Sequence, residues 1–125
     1  MDYSVRRYRE TDAVQMERFG FWIGGLGAAE KRLMEPNVIC LVCELDSELI
    51  GFICGENTAI YDNLLIAAEV LFEYRNQGVF RELFREYQKY AQGSITVFHN
   101  ADTDEFYRKM GFRLGEKLHV SLMQN

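Results

Sequence analysis

The chain has 125 residues, 48% of them apolar, with 14 Lys plus Arg against 19 Asp plus Glu. That fits one domain spanning residues 1–125, and a net charge of −5 with pI near 5.0 supplies no basic field for a phosphate backbone or an anionic membrane surface. No stretch approaches the length of a bilayer span, and Arg6, Arg7 and Arg9 precede no apolar leader segment, so a soluble cytoplasmic protein is expected, with neither nucleic acid nor membrane as a partner.

Tyr3 to Tyr8 reads as a first strand. Asp12 then stands as an N-cap with Gln15 three positions on, and Ala13, Met16, Phe19 and Ile23 recur at helical spacing. A glycine-rich piece, Gly20 to Gly27, separates this helix from a second short one over Ala28 to Met34, which Pro36-Asn37 ends. Val38 to Leu45 and Leu49 to Cys54 are apolar on both faces, as a sheet covered on each side requires, and Asp46-Ser47-Glu48 joins them as a hairpin. Cys40 and Cys43 spell C-x-x-C, but on a strand positions three apart face opposite ways, so core packing is expected rather than redox or zinc chemistry. With Cys54 the cysteine count is three, which implies no disulfide framework.

Leu64 to Leu71 is a third apolar run, broken at Tyr74-Arg-Asn-Gln-Gly78. An amphipathic helix follows, with Phe80, Leu83, Phe84, Tyr87 and Tyr90 on one stripe and Gly93 as its stop. Ser94 to Phe98 is a short strand. Asp102 with Glu105 caps a last helix through Met110, Gly111-Phe112 closes it in a Schellman-type turn, and Leu114 to Met123 supplies the closing strand or strand pair around Gly115-Glu116. The result is an α/β (α+β) fold, a mixed sheet of six to seven strands with helices on both faces, containing one right-handed parallel crossover between Leu64 and Phe98.

The junction from Val70 to Arg81 is the most informative segment. A glycine after a short polar turn, opening a helix, lets successive backbone N–H groups converge on an anion at the helix's positive end, and Arg75 and Arg81 flank it. The bland alternative is that Gly78 relieves a turn and the arginines are solvated.

Four segments in order resemble the GNAT superfamily of acetyl-CoA-dependent N-acyltransferases. Tyr74-Arg-Asn-Gln-Gly-Val-Phe-Arg81 matches that family's pyrophosphate loop at Arg75 and Gly78; Asn100 with Phe106-Tyr-Arg-Lys-Met-Gly-Phe112 matches a second signature. Val5 to Asp12 is similar to its first strand and cap, and Cys43 to Phe52 to its second hairpin. Phe80 stands where the family has a second small residue, and Phe72 replaces a common Pro.

The resemblance implies a GNAT fold and transfer of an acetyl group to a primary amine, of a small molecule or a peptide, by direct attack. Ala68 and Val70 would offer backbone groups to the pantetheine arm, the backbone of Arg75, Asn76, Gln77, Gly78, Val79, Phe80 and Arg81 would hold the diphosphate, and Asn100 belongs to the same cofactor site. Tyr107 would be the acid that protonates the departing thiolate, half-buried packing being its alternative. Leu64 occupies the family's position for a carboxylate base, so Asp62, read as sharing the strand face of Leu64, is the first candidate base, His99 the second and Glu56 the third. Phe21 and Trp22 would wall the acceptor pocket, or serve as core; His119 carries no signal. Expected partners are acetyl-CoA and an amine acceptor, a homodimer being left open and no metal expected. The competing readings are a catalytically inactive GNAT-fold module that binds CoA or a protein partner in a regulatory role, favoured by Leu64 and Phe80, and, more remotely, a metal or redox protein using Cys40 and Cys43.

Overall fold

A computed structural model describes residues 2–19, 32–99, 101–114 and 120–124. In chain order these form β1 (Ser4–Arg7), α1 (Ala13–Met16), β2 (Val38–Leu45), β3 (Glu48–Glu56), β4 (Asn63–Val70), α2 (Val79–Tyr90), β5 (Ser94–Phe98), α3 (Asp104–Lys109), β6 (Arg113–Leu114) and β7 (Val120–Gln124). The seven strands make one sheet in the order β1-β2-β3-β4-β5-β7-β6. Every pairing is antiparallel except β4 with β5, which the crossover through α2 makes parallel. No helix among the described residues is long and apolar enough to cross a membrane.

The alternation of β2 and β3 sorts their side chains onto two cores. Leu41, Cys43 and Ile53 face α2, which buries Val79, Leu83, Phe84 and Tyr87 against them. Val38, Cys40, Val42, Phe52 and Cys54 face the α1 side, where Met16, Phe19 and Leu33 cover them. Cys40 and Cys43 therefore lie on opposite faces, as expected. The structure adds that Cys40 sits directly across from Cys54. Contact with Cys54 and burial push the Cys40 thiol up, and burial beside Glu82 pushes Cys43 up to about 12, so neither is a thiolate at neutral pH.

The hairpin turn is tighter than the sequence suggests. Asp46 and Ser47 both have positive φ, 50° and 67°, and Glu48 already pairs with Leu45, so two residues make the loop in the primed-turn manner that suits the strand twist. Gln15 braces this hairpin: its Oε1 accepts from Leu49 N–H at 2.8 Å and its Nε2 donates to Ser47 C=O at 3.1 Å. The expected cap pairing of Asp12 with Gln15 is thus corrected on both sides. Arg9 precedes a 3₁₀ turn at Glu10–Asp12, and the Asp12 carboxylate reaches back to accept from Arg9 N–H at 2.8 Å. The last helix departs likewise: Asp102 lies in a 3₁₀ turn and Thr103 precedes the first helical residue. Its end is as expected, with Gly111 at φ +100°, Gly111 N–H on Arg108 C=O and Phe112 N–H on Tyr107 C=O.

Asp12 also accepts two hydrogen bonds from Arg6, both 2.8 Å, while Arg6 reaches Glu44 at 3.0 Å. Burial alone would raise the Asp12 carboxyl, but Arg6 and the Arg9 N–H outweigh it and hold the group below its ordinary value of 3.8. A depressed folded-state pKa stabilises the fold above the unfolded value and loses that stabilisation as pH falls through the folded one. Asp12→Asn should cost about 3 kcal/mol at pH 7 by leaving Arg6 without its buried partner, and should flatten the acid limb of stability below about pH 4, measured by urea unfolding against pH.

Gly55 lies against α2: a Cβ there would stand 1.8 Å from the Tyr87 hydroxyl, which is itself buried without a hydrogen-bond partner among the described residues. Gly55→Ala should therefore destabilise by about 1–3 kcal/mol. Tyr87→Phe should be close to neutral alone and recover part of that loss in the double variant, read from urea midpoints.

Candidate functional site

The site originates in a single extra residue. Between Cys54/Gly55 on β3 and Ala67/Leu65 on β4 the register shifts, so Ile66 bulges out of the ladder. On its other side β4 pairs with β5 only through Asn63↔Ile95, Leu64↔Thr96 and Leu65↔Val97; beyond that point the two strands part. Leu71 N–H donates to Ile50 C=O, so antiparallel alternation turns the N–H and C=O groups of Val70 and Ala68 to the opposite, open edge. The N–H and C=O of Ala68 and the N–H of Val70 thus face an edge that no pairing with β5 covers, while the Val70 C=O accepts from Arg75 Nε at 2.8 Å.

A cleft of about 890 Å³ opens where the strands part. Ala68, Glu69 and Val70 form one wall, the loop from Tyr74 to Arg81 its end, and Thr103, Phe106, Tyr107 and Met110 from the α3 segment the facing wall. Arg75, Asn76, Gly78, Val79, Phe80 and Arg81 all border it. Asn76 and Gly78 take positive φ, 62° and 84°, so the chain makes two left-handed steps before α2. The first helical bond runs from Glu82 N–H to Gly78 C=O, which leaves the N–H groups of Val79, Phe80 and Arg81 without an intrahelical acceptor at the positive end of a twelve-residue helix. This nest is a fit for a diphosphate.

Two residues of that loop act differently from their bare sequence reading. The Arg75 side chain does not project into the nest: its Nε donates to Val70 C=O at 2.8 Å and its guanidinium lies 5.7 Å from the centre of the exposed Phe72 ring. Gln77 does not border the cleft with the others, its side-chain amide donating to Glu73 C=O at 3.0 Å. Phe80 explains how a bulky residue replaces a small one. Its ring lies parallel to Phe84 at 6.3 Å and edge-on to Phe106 at 5.2 Å, bridging α2 and α3 along the cleft.

Tyr107 lines the cleft from α3, its ring edge-on to Phe106 and Phe112 and 4.4 Å from the His99 ring. Burial raises its phenol above the ordinary value of 10.0, so the hydroxyl stays protonated through the neutral range. His99 points at the α3 start, with Nδ1 3.0 Å from Thr103 Oγ1 and 3.6 Å from Asp104 Oδ1, and its side chain is 4% exposed.

Asp62 lies elsewhere. It precedes β4 instead of lying on it, and its Oδ2 accepts from the Ser94 N–H at 3.0 Å and hydroxyl at 3.3 Å, capping the start of β5 at the far end of β4 from the Val70 edge. Gly93 is glycine for the same contact, since a Cβ would meet Asp62 Oδ2 at 2.3 Å. Glu56 closes β3 in an ion pair with Arg32. Asn100, Phe21 and Trp22 fall outside the described residues, as does His119. Among the described residues no group of three or more His, Cys, Asp or Glu is arranged to hold a metal ion.

Residues 36–114 match the acetyltransferase (GNAT) domain family, a span that takes in the hairpin, the bulged strand, the loop and the cleft. No curated protein sequence matches the chain. Solved structures share its fold at low identity. PaiA N-acetyltransferase from Thermoplasma acidophilum in complex with coenzyme A superposes with a TM-score of 0.86 at 16% identity, covering 100% of both chains. An acetyltransferase from Thermus thermophilus gives 0.77 at 14%, covering 100% of this chain and 98% of that one. AAC(6')-Iy in complex with the bisubstrate analogue CoA-S-monomethyl-acetylneamine gives 0.77 at 17%, covering 94% and 95%. By its matched span and its sheet, the chain belongs to the GNAT acetyltransferase family.

Proposed function

We propose that the chain works as a single domain, an acetyl-CoA-dependent N-acetyltransferase that acylates a primary amine by direct attack. The observation that carries this reading is the continuity of one cleft from the open β4 edge, through the left-handed steps at Asn76 and Gly78, to the Tyr107 side chain. Ala68 and Val70 would hold the amide-rich pantetheine arm in place of a neighbouring strand. The N–H groups of Val79, Phe80 and Arg81 would hold the diphosphate, with Asn76 and Gly78 setting the turn, Arg75 pinning it to β4 and Asn100 adding to the same cofactor site.

Acetyl-CoA, when bound, supplies the acyl group as a thioester. The amine nitrogen forms the new bond to the acyl carbon, the carbon–sulfur bond breaks, and Tyr107 gives its proton to the sulfur. The proton lost by the amine goes to solvent, and solvent returns one to the Tyr107 phenolate, which restores the acid. The Ser94 contacts of Asp62 make it a strand cap in this reading, and His99, packed on Tyr107, orients the acid. Phe21 and Trp22 would contribute to the acceptor side. Leu64, where a carboxylate would serve as base, favours a second reading in which the chain binds CoA without transfer; thiol release on adding amines separates the two.

Acetyl-CoA should raise the melting temperature, since a ligand that binds only the folded state stabilises it. In Gly78→Val a β-branched residue meets φ +84° with the Tyr3 hydroxyl at an ordinary contact distance of 3.9 Å from its Cβ, so the cost is backbone strain of about 1–2 kcal/mol and loss of the nest. That variant should fold with a lowered melting temperature and show no further rise with acetyl-CoA; an undiminished rise would remove the loop from the cofactor site. Tyr107→Phe keeps the ring packing and removes only the proton. It should lower kcat by about 10²–10⁴ with acetyl-CoA affinity unchanged, and turnover surviving within about twofold would assign the proton to water.

A further inference from the structure

The α1 side of the sheet holds two thiols at one rung of the β2–β3 ladder. Cys40 on β2 stands directly opposite Cys54 on β3, and both belong to the α1-side core. Cys43 is excluded from the pair, since it faces α2 and lies opposite Gly51. The Cys40 C=O accepts from the Tyr8 N–H at 2.9 Å, so the backbone groups of Cys40 are turned to the β1 side and exchange no bond with Cys54. A non-hydrogen-bonded antiparallel pair of this kind brings its Cα atoms to about 4.5 Å, inside the roughly 4.4–6.8 Å that a disulfide spans. The two thiols are already in hydrogen-bond contact.

Among the described residues Met16 of the four-residue helix α1, with Phe19 and Leu33, covers this core, and Cys40 and Cys54 are 3% and 0% exposed. A helix of one turn has little stability of its own, so this cover opens locally at lower cost than the twelve-residue α2 on the other face. We propose that Cys40 and Cys54 form a reversible cross-strand disulfide, a redox site apart from the cleft, whose oxidant is hydrogen peroxide, small enough to enter when α1 lifts. In the closed fold, contact with Cys54 and burial keep the Cys40 thiol protonated, so the open state sets the rate. The Cys40 sulfur then takes one oxygen of the peroxide; the O–O bond breaks, and a first water leaves with the thiol proton. A sulfenic acid remains on Cys40. The Cys54 sulfur attacks it, the S–O bond breaks, and a second water leaves with the Cys54 proton. Two thiols have given two electrons to the peroxide, and one S–S bond has formed. Closure also holds Cys40 at this oxidation level, short of the sulfinic acid.

The test exposes the full chain, folded in buffer, to excess hydrogen peroxide and then alkylates the remaining thiols in denaturant. Free thiols should fall from three to one, the mass before alkylation should drop by two hydrogens, and dithiothreitol should restore all three thiols. Cleavage after glutamate separates Cys40 and Cys43, both ahead of Glu44, from Cys54, which lies between Glu48 and Glu56. The two peptides should travel as one species, with the alkyl group on Cys43. Cys54→Ala should end the paired loss of thiols, while Cys43→Ala should leave the linkage as it is. If either variant fails to fold, the peptide linkage in the unaltered chain decides alone. Linkage through Cys43, survival of all three thiols, sulfinic acid on Cys40 without linkage, covalent dimers in its place, or linkage that forms only in urea would overturn the inference.

Discussion

The structure depends on one backbone irregularity. Ile66 is the extra residue that bulges from β4, and past it the strand keeps its ladder to β3 but loses the one to β5. A buried strand edge with unpaired N–H and C=O groups is costly, so such an edge persists only where water or a ligand completes it. Everything at the cleft is arranged around that opening: α2 begins at its end, α3 faces it, and β5 remains fixed by five pairings to β7 instead of by β4. A continuous β4–β5 ladder would pair the Ala68 and Val70 backbones and leave no cleft.

The loop after β4 shows how strain is held in place. Asn76 and Gly78 adopt left-handed φ, which Gly tolerates freely and Asn tolerates better than most residues, so the composition of the turn reduces the cost. Contacts then lock it from both sides. Arg75 ties the loop back to Val70 C=O, and the Tyr3 hydroxyl, from just before β1, reaches Gly78 C=O at 3.4 Å. A nest preorganised in this way loses less entropy on meeting an anion than a loop that must first order itself.

How much of this was legible in the sequence follows from the range of the forces involved. Strand alternation, the amphipathic stripe of α2 and the Gly111 stop are local, and they appear in the structure much as read. The stripe shifted only at its ends, Val79 being buried and Tyr90 42% exposed beneath the Arg7 guanidinium. What failed was the assignment of partners to polar side chains. Asp12 reads locally as a cap for Gln15, yet Arg6 and Arg9 claim its carboxylate and Gln15 braces the hairpin at Leu49. Asp62 reads as a strand residue near Leu64, yet it caps Ser94, thirty-two positions away. Such choices depend on contacts between distant segments, and no period in the sequence reports them. Phe80 is the converse case: its departure from a small residue is visible in the sequence, but its accommodation needs Phe84 and Phe106 around it.

The two faces of the sheet carry different groups where β4 and β5 part. On the α2 side a half-buried, protonated phenol, Tyr107, is backed by the His99 ring and stands on the cleft wall. On the other side the row Glu56–Leu64–Thr96 crosses the strands at the last rungs before they part. A side chain on β3 opposite Leu64 lies about 5 Å from it in backbone spacing, within the length of a Glu side chain. Glu56 therefore faces the same side as Leu64 from one strand away, with its carboxylate paired to Arg32. Because that ion pair already satisfies its charge, Glu56 fixes the end of β3 beside the parting and leaves position 64 an apolar one, so the row that crosses the strands there serves the sheet before it serves any chemistry.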